Sequence, residues 1–497
     1  MKRCPPALSS SALLGLTAIY PLINLRRNQT IMETAISGKI FLYNTFAELC
    51  QYIINTQTKN YLVRYGCISP EEKARIEGLI KSEKLIPLDP SGTFLPMKES
   101  DITNDFLIRL MHFSSLLRKN DDENCIMRLL QILDLAMEDL LKEEIRNLET
   151  QDATYELNTN RDTTGIELLP RCSCVWARKS RQSFSYRRID NYLNHIIVIE
   201  DRVLRGISDE HHFIPKGFFP GFDRTGQLRV SATPLSKNPN FDTKFHRNGD
   251  LQVFSLEYHE SDSDKENRLV WEKIVEAGAC GSEIVVFPEM LGNASMEKAI
   301  RRKLQALSPE EKKSIPPMII LPTYFIDGHN CAVVLDRNGR RMASQYKHNP
   351  YVMREHHNEY MEDIHGSNVV EIFHYEGIGR FAILICKDFL TTRYMERIMR
   401  GCQLTLIVVP AYSTGSYDFK MSFDLCAHDY CNVVWINSCA AMKPGKEDNF
   451  RIIGYVRKRV GRNQDPLDSM YEMRPCKNLL QGTCKNNCLY TSQFGRV

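Results

Sequence analysis

GRFAILICKDF, residues 379–389, carries an almost unbroken apolar run into a cysteine and then straight into charge. A short apolar run with polar ends reads as a buried strand, which places Cys386 at a strand's end. Two other stretches finish the same way: EIVVFPEM (283–290) delivers Glu289, and RRMASQYKHNP (340–350) delivers Lys347. Residues at strand ends can converge at one edge of a sheet. A carboxylate, an amine and a thiol gathered there supply a base, a cationic stabiliser and a nucleophile.

The chemistry asks for these residue types. A thiol with a reference pKa of about 8.5 is only partly ionised at neutral pH, so a neighbouring carboxylate that takes its proton during attack makes it useful. Glu289 is the candidate base. Attack on a carbonyl or nitrile carbon builds negative charge, which a fixed ammonium and the backbone N–H after the nucleophile can stabilise. Lys347 and the Lys387 amide fit that role. The protonated glutamate can then hand its proton to departing ammonia or amine and activate the water that cleaves the thioester. Such a cycle needs neither metal nor organic cofactor. Taken singly, each residue has a plainer reading: Cys386 as a small buried hydrophobe, Glu289 as a solvated strand exit, Lys347 as a snorkelling edge lysine. Their joint occurrence at successive strand ends favours the catalytic reading.

The motifs Phe287-Pro288-Glu289, Lys347 and Cys386-Lys387-Asp388, in that order over roughly 246–445, resemble those of the nitrilase, or carbon–nitrogen hydrolase, superfamily. The resemblance implies a Cys-Glu-Lys triad acting on amide, nitrile or carbamoyl bonds, an α/β fold of the αββα four-layer sandwich type, and a homo-oligomer paired through a helical face. It also implies a second glutamate after the lysine; Glu355, eight positions on, is preferred to Glu359. The chain departs from the family at Lys387, where an aromatic or histidine is usual, and at Phe389-Leu390. Lys387 either lowers the thiol pKa or attracts an anionic substrate, unless alternation turns it away from the pocket.

Around these motifs strands and helices alternate, which by itself specifies only an α/β domain. LQVFSLEYH (251–259) reads as the opening strand, NRLVWEKIVEAGACG (267–281) and SMEKAIRRKLQAL (295–307) as helices, and PPMIILPTYF (316–325) as a strand. Residues 330–348 read as a hairpin turned by Asn338-Gly339. A helix over 391–402, a strand over 404–413, a helix around 423–431 and a strand over 433–440 follow.

Length predicts two or three domains in 497 residues. Region 1–150 is expected to be mostly helical, because KIFLYNTFAELCQYIINT, NDFLIRLMHFSSLLRK and CIMRLLQILDLAMEDLLKEEIRNLE have helical apolar spacing. It reads either as a partner or sensor module or as a buttress for the remainder. Region 151–245 reads as a linker or small mixed basic region. Its RCSCVWARKSRQSFSYRR (171–188) interleaves basic residues with Trp176, Phe184 and Tyr186. That composition occurs at single-stranded nucleic-acid sites, although a solvated basic face is the better expectation at net charge +3. Region 246–445 is the hydrolase-like domain and 446–497 a Cys-containing basic tail.

Sixteen cysteines without a secretory framework point to a reducing, cytoplasmic setting. The start MKRCPPALSSSALLGLTAIYPLI has a short apolar core, but prolines interrupt it and it is too short for a membrane span. Met32 offers an alternative translation start. In the tail, Cys476, Cys484 and Cys488 supply three thiols, one fewer than a tetrahedral zinc site needs. Cys172 and Cys174 are poor candidates for the fourth, so free thiols, and no metal, are expected. The leading expectation is a cysteine hydrolase of a small amide, nitrile or carbamoyl compound. The alternatives are a silent scaffold of the same fold or a module of a bacterial defence system associated with reverse transcriptases. Any protein partner is expected at the N-terminal helices.

Overall fold

The computed structural model describes residues 30–56, 61–150, 157–176, 188–259, 263–355, 357–429, 431–442, 450, 452–458, 470–481 and 483–495. The N-terminal apolar stretch and most of the basic segment 171–188, including Phe184 and Tyr186, lie outside them. Among the described residues no helix is long and apolar enough to cross a membrane.

The chain is a mixed α/β protein with two seven-stranded sheets. The first runs in the order Arg341–Tyr346, His329–Asp336, Met318–Ile320, Ile284–Val286, Leu228–Ala232, Tyr490–Phe494, with Tyr324–Ile326 attached to His329–Asp336. The second runs Met470–Met473, Gly454–Arg457, Asn432–Asn437, Leu406–Ala411, Gly379–Ile383, Val369–Tyr375, Ser208–Phe213. Alternation along the first sheet sorts its side chains between two cores. Ile284, Val286, Met318, Ile320, Ala332 and Val334 share one apolar cluster with residues of the second sheet. Val285, Ile319 and Val333 face the other way, against Val270 and Ile274 of helix Ser263–Ala279 and Ile300 and Leu304 of helix Ala294–Ala306. On the second sheet, Trp435 packs against Phe419 and Phe423 of helix Phe419–His428. A continuous apolar run, rather than alternation, is what a strand covered on both faces requires.

Strands from outside 246–445 complete both sheets. Leu228–Ala232 pairs parallel with Ile284–Val286, Ser208–Phe213 parallel with Val369–Tyr375, and Tyr490–Phe494 antiparallel with Leu228–Ala232. The expectation that LQVFSLEYH opens the sandwich is therefore corrected. Leu251–Tyr258 belongs to a separate four-stranded sheet with Phe241–Asn248, Val352–Glu355 and Asn358–Glu362. Only Val253 and Phe254 of that strand are buried, as suits a sheet with one solvated face. The Asn338-Gly339 hairpin forms as read, with Gly339 at φ +77 and Arg301 Nε donating to its carbonyl at 3.0 Å.

Helices dominate residues 30–150. Thr30–Asn55, Asn104–Lys119 and Glu123–Ala136 meet through Leu42, Phe46, Phe106, Leu110, Phe113, Ile126 and Leu130, at the i, i+3, i+4, i+7 spacing of a buried stripe. Each such side chain contributes about 1.5–3 kcal/mol on burial. Beyond them, Ile166–Pro170 and Ile196–Glu200 pair antiparallel. Leu168, Ile196 and Val198 pack into the helical core and Leu169, Ile197 and Ile199 into the inter-sheet core, so this ribbon joins the two. Asp134 of the helical core accepts the backbone N–H groups of Asn194, His195 and Ile196 at 2.5, 3.0 and 2.9 Å. Trp176 is buried too, its indole N–H donating to the Thr405 carbonyl at 3.2 Å.

Candidate active site

Parallel strands of both sheets end at one seam, where loops beyond their carboxyl ends commonly hold ligands. The chain leaves Ile284–Val286 through Phe287-Pro288, and the Glu289 N–H donates to the Ala411 carbonyl at 3.3 Å, tying the first sheet to the second. Lys347 follows Arg341–Tyr346, its N–H bonded to Asn330 O at 2.8 Å. Cys386 follows Gly379–Ile383 in the second sheet, its N–H bonded to Pro410 O at 2.9 Å. The three residues thus come from two sheets rather than one edge. Cys386 takes φ +41 and ψ −93, a positive-φ conformation costing a non-glycine residue about 1–3 kcal/mol. Its carbonyl accepts from Phe389 and Leu390 N–H at 3.1 and 3.2 Å, which holds that turn in place as helix Lys387–Leu390 begins.

Lys347 Nζ donates to Glu289 Oε1 at 2.8 Å and to Glu362 Oε2 at 2.6 Å, all three side chains being fully buried. Asn330 Nδ2 donates to both carboxylates, at 2.9 and 3.1 Å, while its own oxygen accepts from Thr323 Oγ1 at 2.7 Å. The Tyr412 N–H donates to Glu289 Oε2 at 3.0 Å and the Tyr351 N–H to Glu362 Oε2 at 2.9 Å. The Cys386 thiol reaches the Tyr412 carbonyl at 4.0 Å, and Glu289 lines the same cavity, close enough for its charge to act on the thiol.

Burial, reinforced by the Glu289 charge, pushes the Cys386 thiol well up, so it rests protonated. Burial also raises Glu289, with Glu362 adding to the effect and Lys347 opposing it. For Lys347 burial alone would lower the pKa, but Glu289 and Glu362 outweigh it and hold the amine charged. The result is a buried ammonium shared by two carboxylates, one of which acts electrostatically on a neutral thiol.

Reasoning from sequence missed three groups. Glu362, not Glu355, is the second carboxylate on Lys347; strand Asn358–Glu362 brings it there by pairing parallel with Leu251–Tyr258, Glu362 opposite Phe254. Choosing among Glu355, Glu359 and Glu362 needed that pairing. Glu355 lies on the wall of the adjoining cavity instead. Asn330 had no signal beyond its place at the start of an apolar strand. Asp388, quoted only as motif, accepts the His348 N–H at 3.1 Å and the Asn349 N–H and side-chain amide at 2.7 and 2.9 Å, clamping the loop after Lys347 to the turn after Cys386.

A cavity of about 1060 Å³ opens over Glu289, Lys347 and Cys386. The four-stranded sheet walls it with Phe241, Phe245, Phe254 and Leu256, and Arg354, Glu355 and Lys387 add charge to the lining. Lys387 is therefore part of the cavity wall.

No protein-family model and no curated protein matches the chain. Similar solved structures include an amidase from Nesterenkonia sp., at 13% identity and TM-score 0.37, over 54% of this chain and 90% of that one. A variant of the Nesterenkonia AN1 amidase, described as from the nitrilase superfamily, is 14% identical with TM-score 0.33, over 46% and 83% of the two chains. The C. elegans NitFhit protein is 15% identical with TM-score 0.35, over 55% of this chain and 61% of that one. Likeness of this degree does not carry a functional reading, which rests on the residues described above.

Proposed function

We propose that the chain is a cysteine-dependent hydrolase of a non-peptide carbon–nitrogen bond, built on the αββα sandwich of the nitrilase superfamily. The observation that carries this is a single carboxylate, Glu289, bonded at once to a buried ammonium and a backbone N–H, and lining one cavity with the thiol of a cysteine held at positive φ. A structural cysteine needs none of these neighbours.

In the proposed cycle Cys386 Sγ bonds to the carbonyl carbon as Glu289 takes the thiol proton. The elevated pKa of Glu289 suits a base that must later act as an acid. Charge gathering on the substrate oxygen meets Lys347 and the Lys387 N–H, which opens helix Lys387–Leu390 without an acceptor in its own helix. Collapse breaks the C–N bond, the leaving nitrogen takes the proton from Glu289, and a thioester remains. Water attacks that thioester while Glu289 accepts its proton. Acid departs and the proton returns to sulfur. Glu362 positions Lys347, and Glu355 orients the substrate from the cavity wall.

Intact-mass analysis after incubation with small amides, nitriles and carbamoyl compounds tests the reading. A covalent adduct on the wild type, absent from Cys386→Ala, is expected. An adduct that persists in Cys386→Ala, or none with any compound while Cys386 also resists iodoacetamide, would overturn it.

A further inference from the structure

Helix Thr392–Gly401, which follows the turn after Cys386, has two unlike faces. Tyr394, Met395, Ile398 and Met399 are buried on one of them. Arg393, Arg397 and Arg400 stand at i, i+4 and i+7, the spacing that gathers side chains on one side of a helix. Like charges so placed repel one another, so this row weakens the helix that carries it.

A second pair of arginines is brought against the first row. Gly401 packs on Leu204 of helix Asp201–Leu204 at an approach that a side chain would block, since a Cβ there would lie 2.8 Å from Leu204 Cδ2. Arg202 and Arg205 stand on either side of Leu204 in sequence. Arg205 ends that helix at φ +51, its N–H donating to the Asp201 carbonyl at 2.8 Å, in the left-handed position where helices commonly end on glycine. Between the two helices lies a hollow of about 560 Å³ lined by Arg202, Arg205, Arg393, Arg397 and Arg400, with Glu396 the carboxylate in its wall. It shares no lining residue with the cavity over Cys386.

Two of the five guanidiniums are already matched. Arg202 Nε donates to Glu200 at 2.6 Å, and Arg400 meets Glu396 and, at 2.7 Å, Asp429. The Arg400 carbonyl accepts from Arg188, whose own charge is met by Asp190 at 2.9 Å. Among the described residues Arg205, Arg393 and Arg397 make no ion pair. Three unmatched cations therefore converge on a hollow of the size that holds a small molecule or part of a larger one. A guanidinium is a planar fork of N–H donors that fits phosphate oxygens two at a time. A carboxylate or other single anion would leave two of the three forks unmatched. No aromatic ring lines the hollow to stack a base, so the recognised part is phosphate.

From this arrangement we infer that the hollow binds a ligand carrying two or more neighbouring phosphate groups, through Arg205, Arg393 and Arg397. A free polyphosphate such as the tail of a nucleoside diphosphate or triphosphate has this chemistry, and so does the backbone of a nucleic-acid strand. The bound phosphates join helix Asp201–Leu204, which lies outside 246–445, to the helix that leads away from Cys386.

The test is isothermal titration of the full chain with inorganic pyrophosphate in a phosphate-free buffer, with fluorescence anisotropy of a labelled oligothymidylate as the second arm. A single saturable site is expected, weakened about tenfold or more in Arg393→Gln and in Arg397→Gln, since each loses a charged donor. Arg75→Gln, which removes an arginine paired with Glu72 on helix Pro70–Ser82, and Cys386→Ala should bind as the wild type does. Arg393 is exposed, so its variant reports on binding even where Arg397→Gln disturbs packing. Pyrophosphate binding without strand binding identifies a free polyphosphate as the ligand. Strand binding that is lost in the same two variants identifies the nucleic-acid backbone. Absence of binding in both arms, binding unchanged in both glutamine variants, or equal weakening in Arg75→Gln would overturn the site. The readout is binding away from the cavity over Cys386, so it stands whether or not the chain hydrolyses carbon–nitrogen bonds.

Discussion

Glu362→Gln separates charge from shape at the buried cluster. Glu362 Oε2 is 2.6 Å from Lys347 Nζ, which is itself 2.8 Å from Glu289. At an effective dielectric constant near 20, the attraction removed is about 6 kcal/mol, and the repulsion removed between two carboxylates about 5 Å apart is about 3 kcal/mol. The charge that is no longer buried returns several kcal/mol of desolvation, so most of the difference cancels. A new donor–donor contact with Asn330 Nδ2 remains. The expected cost is about 1–3 kcal/mol. Lys347→Met instead leaves Glu289 and Glu362 facing each other without a cation and should cost more, about 3–5 kcal/mol. Removing Glu362 also removes a charge that raises Glu289, so Glu289 stays ionised to lower pH. The assay is thermal unfolding of both variants, with the rate of Cys386 alkylation by iodoacetamide followed by mass spectrometry against pH. The acid limb of that rate should move to lower pH in Glu362→Gln. A Glu362→Gln variant less stable than Lys347→Met, or an acid limb that moves upward, would refute the charge accounting.

Three further outcomes follow from the structure. Cys386→Gly should be more stable than Cys386→Ala by about 1 kcal/mol in thermal unfolding, because only glycine occupies φ +41 without cost, while neither forms an adduct. Asp134→Ala removes the acceptor of three N–H donors, of which that of Ile196 is buried, and should destabilise the chain by about 1–3 kcal/mol, with hydrogen exchange rising first at 194–196. Burial, with His211 and Arg380 adding to it, holds His374 neutral, its pKa well below the usual range. The unfolded chain therefore binds the extra proton: stability is lost as pH falls below about 6.5 and is flat in this respect above it. Thermal melts between pH 5 and 8 should show that slope reduced in His374→Phe.

Several differences from expectation have the same origin. The apolar pattern over 125–149 reads as one helix, yet the chain forms Glu123–Ala136 and Glu138–Thr150. The Ala136 carbonyl is taken by the distant Met97 N–H at 2.7 Å, a partner no local pattern announces. PPMIILPTYF reads as one strand but divides at Leu321-Pro322-Thr323, where Thr323 turns to hold Asn330 beside Glu289 and Glu362. Trp176, in a segment with the composition of a nucleic-acid site, is committed to the core through Thr405.

Local sequence by itself determined which short stretches became buried strands and helices. Apolar runs, Gly339 and the residues at strand ends act over a few positions, and their energies do not depend on the remainder of the chain. On that basis Glu289, Lys347 and Cys386 could be singled out before any geometry was known. Only the tertiary structure decided that they arrive from two sheets, that Glu362 and Asn330 join them in the buried hydrogen-bonded cluster, and that Ser208–Phe213, Leu228–Ala232 and Tyr490–Phe494 extend the sheets. These are contacts between residues tens to hundreds of positions apart. Strand order and register set them, and the periodicity of one segment carries no information about which other segment it will face.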